Sequence, residues 1–500
     1  MKVEKSYIFQ SLAIIVMASG FFLFFKGNLP KKLFSEEPIK TSNIVVDSLM
    51  LEAIQNVEGG TGIVDSKVKK NSVVKFDESV VYVTEEDILS NEDVNSFKGM
   101  AYLESFFARL YAVEQAQGKR VRIAYYGDSM TDGDLIVQDL RKNYQSKYGG
   151  SGVGYVSIMS ESAQSRQSVI HRYSNNWKMQ SYLNVKRPQK PFGVSGQVYF
   201  VKDSIRPTWV SYQAGNIKNM TSLNSPTLYY GASNNKRGEV LVIIGKDTIT
   251  KKLSINSELN KLKIADGSVK QVKLMFKHAD SIPIYGMDFS ANSGVQVDNF
   301  SSRGNSGLPL SLFKVSLMQK YQNNLDYSLI ILHYGANVLN YGSLNYSWYT
   351  KQMNKVVAHL KQSFPKANIL VISTADKSTK YETEMRTDSA VVPLMKAQRA
   401  YAMEAHAGFF NLYQAMGGSG SMIKWVEEAP TKANKDYTHF NHRGAQVIAQ
   451  MIFKQLEEGY EDYKKKNGNK TTTSPVKTET AQGSDVEKNT NKEQQHLGNE

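Results

Sequence analysis

Two stretches of this chain alternate strand-like and helix-like patterns, and a long run of short β-like segments separates them. That interruption constrains the fold more than any other feature. The first stretch opens with "FKGMAYLESFFARLYAVEQAQGK", apolar at helical spacing and ending at Gly118. Next, "VRIAYYGDS" reads as a strand buried on both faces that stops at Gly127, and "LIVQDLRKNYQSKYGG" as a helix with a glycine stop. In such a strand–turn–helix unit, the loop at the strand's carboxyl end is where sites form. From 161 to 290 come "GQVYFV", "TWVSYQ", "TLYYG", "EVLVIIG", "KLKIA" and "VKQVKLMFKH", separated by turn signals, which predicts a β-sandwich. The alternation resumes with strand "GVQVDNFS", helical "PLSLFKVSLMQKYQ" and strand "YSLIILHYGAN". A helix over 345–364, strand "ANILVIST", a helix over 391–407, strand "FFNLYQ" and a helix over 442–458 complete it. The expected architecture is an α/β domain formed by 98–160 and 291–458, with a sandwich inserted over 161–290.

The flanks differ in character. "YIFQSLAIIVMASGFFLFF" (7–25) carries no charge and is about long enough, at ~1.5 Å per residue, to cross a ~30 Å hydrocarbon layer. Cleavage after Ala18-Ser19-Gly20 would leave "FFLFF" at a new terminus, so residues 1–32 are expected to be an uncleaved membrane anchor. Residues 33–97 read as a linker or peripheral region without chemistry. The segment 459–500 is rich in Lys, Thr, Asn and Glu with little to bury, and is expected to be a disordered tail. The net charge of +14 is spread over many lysines, and no zinc-finger spacing, RRM signature or basic helix accompanies it, so nucleic acid is not expected as a partner. The absence of cysteine excludes disulfides and thiolate metal sites.

Four loops that follow predicted strands carry residues with complementary chemistry: Ser129 in "GDS", Gly304 in "NFSSRG", Asn337 in "HYGAN", and Asp436 with His439 in "DYTH". A serine hydroxyl must lose its proton to a base as it attacks an ester. His439 suits that role because histidine titrates near neutrality. Asp436 can hold the other ring nitrogen and stabilise the imidazolium. The oxyanion needs fixed donors, which the N–H groups of Ser129 and Gly304 and the side-chain amide of Asn337 could supply. Asp128 is expected to orient the turn, His333 to pack in the end of the sheet, and His442 to play no part. Asp132 and Asp134 read as a solvated turn leading into a helix, with no metal cluster around them. Neither G-x-S-x-G, H-E-x-x-H nor a P-loop occurs.

This set of motifs resembles the SGNH (GDSL) hydrolase superfamily, block by block over roughly 98–160 and 291–458. The resemblance implies a three-layer α/β/α fold of flavodoxin type, no cofactor, catalytic Ser129, Asp436 and His439, and an oxyanion hole of Ser129, Gly304 and Asn337. Gly304 is preferred to Gly307 because it lies five residues after Asn299, the family's interval. Val338 stands where many members carry an acidic residue. "GDSMTDGD", then "YGGSGVGYV" and a β-rich insertion, is similar to bacterial peptidoglycan O-acetyl esterases, which carry a carbohydrate-binding-module-like sandwich at this point. The implied substrate is an acetylated cell-envelope or exported polysaccharide, and the implied location extracytoplasmic. A polysaccharide O-acetyltransferase would use the same residues, with a sugar hydroxyl replacing water. A non-catalytic carbohydrate-binding protein would be expected to lack one of them.

Overall fold

The computed structural model describes residues 47–57, 95–116, 118–202, 206–339 and 344–467, with Val16, Met17 and Ser19 besides. The chain divides into two units, Met1–Val45 and Val46–Glu500. The central sheet of the second unit has strands β1 (Arg120–Gly127), β2 (Gly294–Asn299), β3 (Tyr327–His333), β4 (Asn368–Ile372) and β5 (Gly408–Phe410). All pair in parallel, in the order β2-β1-β3-β4-β5. That is the doubly wound order, with its direction reversing between β1 and β3. Register decides what happens at the carboxyl edge. Tyr125 pairs with Asn299 and Gly127 with His333, so the loops leaving β1, β2 and β3 start at nearly the same level.

The helices are α1 (Glu104–Gln115), α2 (Val137–Tyr148), α3 (Val315–Leu325), α4 (Ser347–Ser363), α5 (Val391–Glu404) and α6 (His442–Asn467). Side chains alternate across a strand. Val121, Ile123 and Tyr125 of β1 share one apolar cluster with α1, α2 and α6. Ala124 and Tyr126 share the other with α3, α4 and α5. The unit therefore has a three-layer α/β/α core, as the resemblance implies.

Between α2 and β2 lies the predicted β-rich insertion. A five-stranded antiparallel sheet runs Val169–Tyr173, Thr208–Ala214, Gln271–Lys277, Glu239–Ile244, Asp247–Lys252. It faces a sheet ordered Leu259–Lys263, Thr227–Gly231, Ile284–Asp288, Gln197–Val201, Trp177–Ser181. Val210, Tyr212, Val272 and Leu274 from the first meet Tyr199, Leu228, Tyr230 and Ile284 from the second in a core of their own. The first sheet has strands of clean alternation ("TWVSYQA"), whereas "TLYYG" and "QVYFV" in the second carry apolar or aromatic residues at successive positions after a polar first residue. The structure gives the reason: the outer face of the second sheet is also buried. Val198, Phe200, Tyr229 and Tyr285 join the cluster of α3, which includes Leu317 and Tyr321.

A buried ion cluster sits at this junction. Arg122 of β1 is fully buried and donates to Asp298 of β2 (Nε–Oδ2 2.7 Å) and to Asp288 of the sandwich (Nη2–Oδ1 2.8 Å). Tyr327 at the start of β3 donates to Asp298 Oδ2 (2.6 Å), and the Tyr155 N–H donates to its Oδ1 (2.9 Å). Deep burial works against the charge on Arg122, but the two carboxylates outweigh it and hold the guanidinium firmly protonated.

Several expectations need correction. The sandwich begins before residue 161, because Tyr155–Ser157 already pairs with Ile284–Asp288. In "FFNLYQ" only Gly408–Phe410 is strand; Leu412–Met416 is helical because the Asn411 side chain accepts from Gln414 N and caps it. The tail does not start at 459: α6 runs to Asn467, with Tyr460 buried against Phe107 and Lys464–Lys466 at the helix's negative end. Residues 468–500 lie outside the described residues. Within the expected linker or peripheral region 33–97, the helix Ser48–Val57 packs its Met50 into the apolar cluster of α3 and α4. Among the described residues no helix is long and apolar enough to cross a membrane. The expected anchor over 7–25 lies outside them apart from Val16, Met17 and Ser19.

Replacing Arg122 by Met would leave two carboxylates buried without their cation. Breaking a buried pair in this way costs about 3–5 kcal/mol. Urea denaturation of Arg122→Met is expected to show that loss, with Lys186→Met on the surface close to wild type.

Candidate functional site

Each of the four loops is held by bonds to another. Gly127 ends β1, and a Cβ there would collide with Thr131 Oγ1 and lie 3.0 Å from Ser301 Oγ. Its carbonyl accepts from Ser302 N at 3.1 Å, joining the first loop to the second. Close approach of the two loops, rather than a left-handed turn, is what requires glycine. Gly304 itself has φ 80°, in the left-handed region that side chains rarely adopt. Asn299 closes β2 by donating to Thr131 O (2.8 Å) while accepting from Ser301 N (2.9 Å).

Asp128 ties the first loop to the third. Its Oδ1 accepts from Met130 N (2.9 Å), and its Oδ2 from Gly335 N (3.1 Å) and Ala336 N (3.2 Å). Burial pushes its carboxyl up to about 6, despite these hydrogen bonds favouring the charged form. Gly335 packs so tightly that a Cβ would lie 2.6 Å from Thr374 Cβ. Two residues on, Asn337 is buried and donates through Nδ2 to Asn305 O (3.2 Å), so the third loop clasps the second beside Gly304. An amide nitrogen carries two hydrogens. This bond uses one and fixes the plane of the other.

The fourth loop brings His439 to Ser129. Ser129 Oγ lies 2.9 Å from His439 Nε2, and His439 Nδ1 lies 2.8 Å from Asp436 Oδ2. Asp436 Oδ1 accepts from the N–H groups of Thr438 (3.0 Å) and His439 (3.0 Å). Partial burial opposes ionisation of Asp436, but the hydrogen bond from the His439 ring and those from the backbone outweigh it and hold the carboxyl below its usual range. A charged acceptor on Nδ1 leaves Nε2 free to take the serine proton. The loop is set by Ser378 N donating to Tyr437 O (3.0 Å) and by Asn441, whose Oδ1 caps α6 at Arg443 N and Gly444 N. Trp425 supports it from beneath, buried against Phe440.

The structure thus brings Ser129, His439 and Asp436 into one hydrogen-bonded line and places Gly304 and Asn337 on loops bonded to one another. His333 is buried with Nδ1 2.7 Å from Tyr125 OH, and burial pushes its ring down to about 3, so it is neutral at working pH. His442 is exposed at the start of α6, 3.4 Å from Gln167 of the insertion. The solvated turn expected at Asp132 and Asp134 needs correction. Asp134 is fully buried, bridged by Arg141 (2.8 Å) and Arg166 (3.4 Å), and these cations hold it ionised in spite of its burial. Asp132 pairs with Arg303 at 2.8 Å. Arg303 lies 171 positions from Asp132, and although Arg141 is only seven from Asp134, nothing in the local sequence shows that it turns inward. Among the described residues no group of three or more His, Cys, Asp or Glu is arranged to hold a metal ion.

A carboxyl with a raised pKa in the folded state binds more protons there than in the unfolded chain between about pH 4 and pH 6. Asp128 therefore contributes a loss of stability as pH rises through that window, up to roughly 3 kcal/mol. Asp128→Asn, with no proton to lose, is expected to be less stable overall but to lack that slope. Unfolding free energies at pH 4 and pH 7 for both proteins check it.

No protein-family model matches this chain. No curated protein matches it either. Solved structures do. One described as "Peptidoglycan O-acetylesterase in action" superposes with a TM-score of 0.59 at 19% identity, covering 74% of this chain and 98% of the other. A family two carbohydrate esterase from Cellvibrio japonicus covers 59% of this chain at 10% identity, but its TM-score of 0.24 is too low to carry an argument. At 19% identity the first of these likenesses shows the fold: a three-layer α/β/α core around a parallel five-stranded sheet, with a β-sandwich inserted into it.

Proposed function

We propose that this protein is a serine esterase that removes acyl groups, O-acetyl in particular, from a cell-envelope or exported polysaccharide such as peptidoglycan. The observation that carries the reading is the line Ser129 Oγ, His439 Nε2, His439 Nδ1, Asp436 Oδ2, with both links under 3 Å. Ser129 Oγ attacks the ester carbonyl and passes its proton to His439 Nε2. The negative charge that forms on the carbonyl oxygen is met by the N–H groups of Ser129 and Gly304 and by the second hydrogen of the Asn337 amide. As the tetrahedral adduct collapses, His439 returns the proton to the departing sugar oxygen, leaving acyl-Ser129 and a free sugar hydroxyl. Water, deprotonated by the same nitrogen, then releases the carboxylic acid and restores Ser129.

Hydrolysis is favoured over transfer to a second sugar by exposure. The side chains of His439 and Asp436 are 39% and 49% accessible, so water reaches the base directly. The acetylated polysaccharide as substrate is supported by the similarity to a structure described as a peptidoglycan O-acetylesterase. A membrane anchor over 7–25 with the catalytic unit outside the cytoplasm belongs to the same proposal, since that is where such a substrate lies.

Acetate release from O-acetylated peptidoglycan and from other acetylated glycans tests the reading. Ser129→Ala is expected to lower kcat by at least about 10³-fold. Asn337→Ala should lower kcat by about 10²–10³-fold, with little change in KM, because an oxyanion donor acts on the transition state. Full activity in Ser129→Ala would overturn the mechanism. Preferential acetyl transfer to an added glycan in place of water would favour the transferase.

A further inference from the structure

Asp47 lies in a region without a recognisable motif, yet it is fully buried. The helix that begins directly after it, Ser48–Val57, packs Met50 into the apolar cluster of α3 and α4. Ser48 N donates to Leu183 O at 3.1 Å, and Glu52 pairs with Lys186. Asp47 Oδ1 accepts from Met50 N at 2.8 Å, an ordinary N-cap. The remaining bonds are not ordinary. Asp47 Oδ2 accepts from Ser306 N at 2.7 Å, and Asp47 N donates to Gly304 O at 3.2 Å. One residue therefore grips the second loop on both sides of Asn305.

What Asp47 grips is the part of the loop that matters for charge stabilisation. Gly304 O and Ser306 N are held by Asp47, and Asn305 O accepts from Asn337 Nδ2. Tyr349 OH fixes Ser306 O at 2.7 Å, and Asn305 Nδ2 reaches Tyr182 OH at 2.9 Å. The only covalent path from Asp47 to this loop is a long one, since 259 positions separate Asp47 from Ser306. A helix cap needs a single acceptor oxygen. Two acceptor oxygens on one short side chain, serving Met50 N and Ser306 N together, require a carboxylate, since an amide offers one. Burying that carboxylate raises its pKa despite its hydrogen bonds, which is a cost that capping a surface helix would not incur.

We infer that Asp47 is a positioning residue of the oxyanion site: the segment Asp47–Val57 straps the Gly304–Ser306 loop so that the Gly304 N–H and the Asn337 amide stay aimed at the developing charge. The activity readout rests on the esterase reading, whereas the structural readout does not. Asp47 does not touch the reacting atoms. Its effect passes through the loop, and a displacement of about 1 Å in a donor can cost up to about 10²-fold in rate.

The test compares the full chain as wild type, Asp47→Asn and Asp47→Ala in three measurements. These are hydrolysis of 4-nitrophenyl acetate, amide hydrogen exchange across 303–308, and exchange across β1 and β3 as a control for folding. Asp47→Ala is expected to lower kcat at least about tenfold with KM within about twofold, and to speed exchange in 303–308 while the strands stay protected. Asp47→Asn, which keeps one acceptor and the backbone donor, should fall between. Unchanged kcat in a folded Asp47→Ala, or exchange in 303–308 as slow as wild type, overturns the inference. If Asp47→Ala loses protection in the strands, Asp47→Asn is judged by the same two criteria. If the wild type hydrolyses no ester, the esterase reading fails, and the exchange comparison alone decides whether Asp47 holds the loop.

Discussion

Arg122 is the interaction on which the arrangement depends. Its guanidinium, without access to water, neutralises Asp298 and Asp288 at once and so bolts β1 to β2 and both to the sandwich. Charges taken out of water are tolerable only when paired and hydrogen-bonded. This cluster meets that condition with Tyr327 OH, Tyr155 N–H and Ser290 OH as further donors. The consequence reaches the site through register. β1 ends at the loop of Ser129 and β2 at the loop of Gly304, so anything that fixes the two strands against each other fixes Ser129 against Gly304.

Aspartates around the site do different work because their surroundings differ. Asp128 is buried without a cation and serves as an acceptor for backbone N–H groups of two loops, at the cost of a raised pKa. Asp134 is equally buried but faces two arginines, one of them from the insertion, and remains charged. Asp436 is half exposed and points at a histidine. Only the last combines a lowered pKa with a ring N–H to accept, which is why only it can orient the His439 ring. The insertion is therefore more than an appendage: Arg166 and Asp288 both reach into the ion clusters beside the central sheet.

Much of this is legible in order along the chain. "VRIAYYG" is apolar at consecutive positions apart from Arg122, as a strand covered on both faces is, and it forms β1. "DYTH" places a carboxylate three residues before a histidine, and a tight turn brings them to 2.8 Å. "TWVSYQA" alternates and faces one core. The failures have a common cause. Asp134 reads as solvated because nothing local reveals that Arg141 turns inward, and Arg166 belongs to another domain. Residues 47–57 read as idle because their partners are Leu183, Lys186, Gly304 and Ser306. Pairings over such separations leave no local periodicity to read.

By itself, the sequence determined most strands and long helices of the central core, because burial on one face or two imposes period and composition. It also placed a serine, a glycine, an asparagine and an Asp-x-x-His pair after strand ends, since those residue types are needed for that chemistry. Only the tertiary structure decided that these loops meet, through strand order and the register of β1 with β2 and β3. It also decided which charges are buried. An ion's protonation and role depend on what replaces its water, and the group that does so can lie far along the chain, as Asp298 does, 176 positions from Arg122.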